Sequence, residues 1–306
     1  MKNYPKLMAS RLKYWRNRLK CSEKYLLTQQ ILRELRNNTP KNISPTEQER
    51  KDFSNYLSHH LAGGMTLSLS SEYRFRKVKV SEDSNNGLHY VTTDTGYRLY
   101  FRRNISKARI EEMYNNLCME QDQRSPHNYC FNDPQFTSHS VLADVGASEG
   151  FFALKFIDRI KKAYLFESDS EWAEALHATF EPWKDKTVIV NKLVSNTNDD
   201  NCTTLDNYFG RNERPTVIKL DIEGSEQEAL EGTAGLLHTG VVSDFLVATY
   251  HRREDAEIIP EIFKNNNYTV KLSPGCILLT YKTGFVPGEL FEFRKGICHA
   301  KRWSQL

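Results

Sequence analysis

Apolar residues recur at helical spacing near the start of the chain and give way to short uninterrupted runs beyond its middle. Met8, Leu12, Trp15 and Leu19 fall three or four apart with Lys and Arg between them, which predicts an amphipathic helix with a basic polar face. Leu27, Ile31 and Leu35 predict a second helix, with Ser22 as its cap and Asn37-Asn38-Thr39-Pro40 as its end. A third is expected from Pro45 to His60, stopped by Gly63-Gly64. Tyr73 to Val80 alternates bulky and basic residues, as a strand does. Tyr90 to Arg103, broken at Asp94-Thr95-Gly96, reads as a hairpin, and residues 107–121 as a further helix.

From residue 141 the texture changes. Val141–Val145, Ala163–Phe166, Thr187–Val190, Thr216–Leu220 and Phe245–Thr249 are short apolar runs that read as buried strands. Helical stretches are expected over Glu149–Ile160, Ser170–Phe180, Ser225–Leu237 and Asp255–Asn266. Strands alternating with helices predict a parallel sheet with right-handed crossovers. Tyr268–Leu272 and Cys276–Tyr281, joined at Pro274-Gly275, are expected to close it as an antiparallel hairpin. The fold class is therefore α/β: a Rossmann-like seven-stranded sheet over residues 136–306, a small α+β extension or cap over 66–135, and a basic helical N-terminal region over 1–65.

Chemistry concentrates where strands end. Asp144-Val145-Gly146-Ala147-Ser148-Glu149-Gly150 joins the first strand of this region to its helix, and glycines there let a ligand approach the backbone. Glu167 ends the second strand, a little over 20 residues on, where a carboxylate can accept hydrogen bonds from ribose hydroxyls. A nicotinamide oxidoreductase would use this architecture with G-x-G-x-x-G and a helix N-terminus facing a pyrophosphate. Only Gly146 and Gly150 are present here, behind Asp144. A leading Asp suits a cationic ligand such as S-adenosylmethionine, which carries a sulfonium and an ammonium and no phosphate.

A second constellation, Lys219-Leu220-Asp221-Ile222-Glu223-Gly224-Ser225-Glu226, lies at the carboxyl end of the fourth strand, which faces the ligand crevice in open α/β sheets. If the strand persists, Asp221 and Glu223 share a face with Lys219 below them. One reading has Lys219 neutralise both carboxylates while Glu223 or Glu226 serves the next helix N-terminus. The other is functional. His251 follows the fifth strand and is a candidate proton acceptor for a substrate hydroxyl. Asp221, Glu223 and His251 also offer the mixed oxygen and nitrogen ligands of a hard divalent ion, although strand-end carboxylates are common without metal. Ser125-Pro126-His127-Asn128-Tyr129, ahead of the first strand, is either a surface loop or a flap over the pocket, with His127 and Tyr129 as substrate contacts.

Composition narrows the setting. No window approaches the ~18 apolar residues of a membrane span, and the early lysines have no apolar run behind them, so a secretory signal is not expected. The 6 Cys include no C-x-x-C pair, which argues against a zinc ribbon and reads as reduced thiols in a cytoplasmic protein. The net charge of +3 is divided unevenly: residues 1–36 carry ten Lys or Arg and two Glu, so the remainder is net acidic. A basic arm is either a solvated helical face or a contact for something anionic, a membrane surface, a phosphorylated carrier or nucleic acid. As a docking segment it would sit near an inner membrane surface or a glycan-assembly partner.

In order along the chain, Asp144-Val145-Gly146-Ala147, Phe166-Glu167, Thr204-Leu205-Asp206, Ile218 through Glu226 and Tyr250-His251 resemble the pattern of the FkbM methyltransferases, over roughly residues 120–300. Phe293-Arg294-Lys295-Gly296 resembles the tail of some bacterial members. The resemblance implies a class I methyltransferase fold, S-adenosylmethionine as donor, and O-methylation of a sugar, a polysaccharide precursor or a secondary metabolite. Asp144, Gly146, Ala147, Ser148, Gly150, Glu167, Ser168 and Asp221 would then contact the cofactor, and His251, Asp221 and Glu223 would form the catalytic set. Ser148 stands where many members have Asn, and Ser168 where many have Pro. Competing readings are a nucleic-acid methyltransferase, which usually carries Asn-Pro-Pro-Tyr where this chain has Asp-Ile-Glu-Gly, and a non-catalytic Rossmann-like scaffold.

Overall fold

The computed structural model describes residues 23–37, 43–62, 64–74, 76–280 and 291–302. The helix expected over Met8–Leu19 lies outside them. Two compact units emerge, one from residues 1–71 with 275–294, the other from 72–274 with 295–306.

The larger unit is built on seven strands: β1 (Val141–Val145), β2 (Lys162–Phe166), β3 (Thr187–Val190), β4 (Val217–Leu220), β5 (Asp244–Ala248), β6 (Thr269–Leu272) and β7 (Ile297–Lys301). Their spatial order is β6-β7-β5-β4-β1-β2-β3. β7 runs antiparallel to both its neighbours, β5 and β6, and the pairs among β1 to β5 are parallel. This is the Rossmann-like seven-stranded arrangement expected from the sequence.

The central strands β1, β2, β4 and β5 are mostly apolar because both faces of the sheet are covered there. Strand periodicity sends alternate residues to opposite cores. Leu142, Ala163, Leu165, Val217, Leu246 and Ala248 join one core. Ala143, Tyr164, Phe166, Ile218, Phe245 and Val247 join the other. The first core is closed by helices α1 (Lys107–Glu120), α2 (Phe151–Phe156) and α3 (Ala173–Phe180). The second is closed by α4 (Leu205–Phe209), α5 (Glu226–Glu231), α6 (Ala234–Thr239) and α7 (Asp255–Asn265). The helix expected over Ser225–Leu237 is thus two, parted at Gly232-Thr233.

The smaller unit has its own core of Ile31, Leu35, Phe53, Leu57, Leu278 and Phe291. Residues 23–36 are helical there, and Glu47–His59 forms a helix whose Thr46 and Glu49 make a reciprocal capping box. Its sheet pairs Ile277–Thr280 with Gly64–Thr66 and Phe291–Arg294.

Three expectations are corrected. Ile277–Thr280 does not form a hairpin with β6. It leaves the large sheet, and β7 arrives instead between β5 and β6. Phe293 and Arg294, read as part of a tail, belong to a strand. Tyr73–Val80 is not a strand: Ser70–Tyr73 is a helical turn and Val80 only opens a strand, Val80–Glu82. The guanidinium of Arg76 lies 3.6 Å from the Tyr73 ring centroid, so the alternation of bulky and basic residues there reflects cation–π stacking rather than a pleat. The hairpin is present as His89–Thr92 paired with Arg98–Tyr100. The units also depart from the divisions expected at 65 and 135. Val91, Leu99, Phe101, Ile110 and Tyr114 share the first core with the sheet, so residues 72–135 are no separate cap. Among the described residues no helix is long and apolar enough to cross a membrane.

Candidate active site

The strand order reverses between β1 and β4, and the crevice at the carboxyl ends beside that switch point is where such sheets bind ligands. The turn after β1 is held by its backbone. Gly146 and Ala147 both donate to the carbonyl of Phe166, at 2.9 and 3.0 Å, and Gly150 donates to Ala147 at 2.7 Å. Gly146 has φ +77°, and a Cβ there would stand 1.9 Å from the carbonyl oxygen of Asp221. Only glycine lets β1's turn lie against the end of β4. Ser148 adopts φ +48°, a left-handed conformation that L side chains rarely take.

The same turn reaches Glu167. The Ser148 amide donates to one carboxylate oxygen at 2.9 Å, and the Asp169 amide to the other at 2.8 Å. The carboxylate is thereby fixed in direction, and each oxygen retains capacity to accept a further hydrogen bond. Ser168 is exposed beside it, its carbonyl accepting from Asn191 at 3.2 Å. Ala147 is buried in the turn.

Asp144 and Lys219 are register partners on β1 and β4 and point to the same face. Lys219 Nζ lies 2.9 Å from Asp144 Oδ1 and 3.1 Å from the Gly146 carbonyl, and both side chains are buried. Burial opposes the ammonium charge, but Asp144 and Asp221 outweigh it and hold Lys219 protonated. The structure therefore gives Lys219 a partner in Asp144, where the sequence pointed to Asp221 and Glu223. The charge of Asp144 is spent within the protein.

Asp221 lies just past the end of β4 with four aromatic or imidazole side chains about it. Tyr129 donates to Oδ2 at 2.5 Å and Tyr250 to Oδ1 at 3.2 Å. His127 Nε2 is 2.9 Å from the Tyr250 hydroxyl, and His251 Nε2 is 3.6 Å from Asp221 Oδ1. Burial opposes ionisation of Asp221, yet Lys219, the two histidines and the Tyr129 hydroxyl hold its pKa below the usual carboxylate value. Burial instead brings His127 down to about 4, so it is neutral near pH 7. Since the Tyr250 hydroxyl proton goes to Asp221, His127 donates through Nε2. Its Nδ1 is then a buried acceptor with no partner among the described residues.

The segment from Ser125 to Tyr129 is buried rather than a surface loop. Ser273 donates to the Pro126 carbonyl at 2.5 Å, and a Cβ on Gly296 would stand 1.8 Å from that oxygen. His127 and Tyr129 thus stand behind Asp221 as its support.

His251 Nδ1 lies 2.9 Å from Glu226 Oε1, and Glu226 is fully buried. The same oxygen accepts from the Ile222 amide at 2.8 Å, so Glu226 both closes the turn after β4 and orients the imidazole. Burial works against charge on His251, but Glu226 and Asp221 raise its pKa above the ordinary value. Glu226 is a site residue that the sequence reading placed only at a helix N-terminus. Glu223 does not share a buried face with Asp221. The strand stops at Leu220, Glu223 turns to φ +56°, and its side chain is 95% exposed, although its carboxylate still comes within 3.7 Å of His251 Nε2. Glu149 and Glu120 complete the acidic lining. Burial and neighbouring carboxylates push them up to about 7 and about 8.

Asp221, Glu226 and His251 offer ligand atoms within 4.8 Å of one another. Asp221 already accepts from Tyr129 and Tyr250, and Glu226 Oε1 accepts from the Ile222 amide and bonds to His251, while Glu226 Oε2 is buried with no hydrogen-bond partner among the described residues. The buried Lys219 ammonium adds positive charge. The donor set therefore fits an internal ion-pair network better than a divalent ion.

No family model matches the chain, and no curated protein does. Among solved structures the chain is similar to methyltransferase FkbM from Methylobacillus flagellatus, with 16% identity over 65% of this chain and TM-score 0.43. It spans 56% of that protein's length. It is similar also to precorrin-6y C5,15-methyltransferase from Geobacter metallireducens, with 11% identity over 55% of this chain and 84% of that one and TM-score 0.38. A third is a Streptococcus pneumoniae protein described as a tRNA methyltransferase, in complex with S-adenosyl-L-methionine, with 16% identity over 54% and 67% of the two chains and TM-score 0.35. At these values the fold rests on the strand order itself.

Proposed function

We propose that this chain is an S-adenosylmethionine-dependent O-methyltransferase of the FkbM type, acting on a hydroxyl of a sugar, a polysaccharide precursor or a secondary metabolite. One observation carries the reading. A single glycine turn touches both halves of the crevice, Gly146 against Asp221 and Ser148 on Glu167. Glu167 would hold the ribose, and the Gly146–Gly150 turn would pass beneath the methionine portion. Bound there, the cofactor supplies an electrophilic methyl group.

The chain's own residues then have two tasks, alignment and proton removal, of which base catalysis typically contributes ~10²–10⁴-fold. His251 takes the acceptor's hydroxyl proton at Nε2 while Nδ1–H stays on Glu226. Ionised Asp221 stabilises the imidazolium that results, and the Tyr129, Tyr250 and His127 network keeps Asp221 in place. The basic segment before residue 36 would dock on an anionic inner-membrane surface or a glycan-assembly partner.

Methyl transfer from labelled cofactor to a panel of sugar nucleotides, envelope glycans and short RNAs tests the reading. Label on a hydroxyl-bearing glycan or metabolite is expected. Label confined to RNA bases would replace it with the nucleic-acid alternative.

A further inference from the structure

A cavity of about 800 Å³ lies within the larger unit, away from the Asp221 cluster but sharing a wall with it. Its walls are the segment after Tyr73, the tip of the hairpin at 92–95, one face of α1 with the residues that follow, and the start of α2. Phe151, on the wall, directly follows the Gly146–Gly150 turn. Gln121, also on the wall, donates to the His127 carbonyl at 3.4 Å.

The lining differs in charge from the catalytic crevice. Arg124 is occupied by Glu72 and Asp122, at 2.8 and 2.9 Å, and Lys77 lies 3.5 Å from Glu111. Arg76, Lys79 and Lys155 have no carboxylate within ion-pair distance among the described residues, and all three are exposed. Arg76 is fixed in place by its stacking on Tyr73. Asp94, at the hairpin tip, is the opposing charge. Tyr114 and Phe151, ring centroids 5.9 Å apart, supply an apolar side.

Three cations without an ion-pair partner among the described residues, opposed by Asp94 and set beside an aromatic side, leave a net positive lining that suits a phosphate ester joined to a sugar or base. A volume of this order suits a small ligand. A nucleic-acid strand would need a longer basic track, and the chain beyond residue 36 is net acidic. We propose that this cavity binds a small organic diphosphate of the nucleoside-diphosphate class, and that it holds the phosphate end of the acceptor whose hydroxyl reaches His251. The acceptor role rests on the methyltransferase reading; the binding does not.

Calorimetric titration of the full chain with uridine diphosphate and UDP-glucose tests this, with S-adenosylhomocysteine titrated separately. Saturable binding is expected, weakened at least tenfold in Lys79→Glu and in Lys155→Glu, with melting temperature and S-adenosylhomocysteine affinity unchanged. Absent binding, or equal affinity in wild type and both variants, would overturn the proposal. So would inorganic diphosphate binding as tightly as the nucleotides, or a short RNA displacing them with a steep salt dependence. Loss of S-adenosylhomocysteine binding with nucleotide binding retained would count against the methyltransferase reading alone.

Discussion

The two histidines beside Asp221 are tuned in opposite directions, and the cause is where their carboxylates stand. His251 bonds directly to Glu226, which raises its pKa. Its neutral, proton-accepting form therefore accumulates only as pH rises past the ordinary histidine value of ~6.5. The acidic limb of kcat/KM is expected above that pH in the wild type. In Glu226→Gln the negative charge is gone, so the limb should move to lower pH and the plateau should fall by at least tenfold. An unmoved limb would show that another group is the base. His127 has no ionic partner so close, and burial brings it to about 4. Between pH 6.5 and 4 the unfolded chain takes up a proton that the folded chain refuses. Stability present above pH 6.5 is lost through this window, by up to about 3 kcal/mol from this residue. Urea denaturation at pH 7.5 and 4.5 should show that loss, and His127→Gln should reduce it. Neither shift is legible in the sequence, because both depend on side chains far apart along the chain, as Glu226 is from His251. The positions themselves were legible: His251 and Asp221 end strands, and strand ends face the crevice.

At the scale of elements, the buried Lys219–Asp144 pair ties β4 to β1 at the switch point. Removing one partner of such a pair strands a charge in the core, at a cost of ~3–5 kcal/mol, whereas removing both often costs little. Lys219→Met is expected to lose stability on that scale and Lys219→Met/Asp144→Leu to recover most of it, by equilibrium denaturation. Similar losses in the single and double variants would mean the pair is not coupled. The strands β1 to β5 were readable because a parallel sheet covered on both faces makes each one a short apolar run. Of the closing strands, β6 was readable over Tyr268–Leu272, but its partner β7 was not. Ile277–Thr280 is as apolar as its neighbours, and strand propensity does not say which sheet a strand joins. Ser125–Tyr129 looks like a loop by composition, and its burial follows from the close approach of Gly296 to Pro126.

Across the whole molecule, charge is distributed by region: a basic N-terminal segment, an acid-lined crevice at the sheet's carboxyl ends, and a cation-lined cavity one wall away. Only the first of these is visible in composition. The other two arise because the fold gathers carboxylates from α1, the β1 turn and the β4 turn, and cations from segments between residues 76 and 155. In the proposed function the crevice takes the methyl donor and the cavity takes the phosphate end of the acceptor. The donor side is tested most directly by a crystal structure with S-adenosylhomocysteine. The ribose hydroxyls are predicted on Glu167 and the amino-acid portion over Gly146–Gly150, with the sulfur facing Asp221 and His251. A nucleoside bound elsewhere, with Glu167 making no contact to it, would contradict the account.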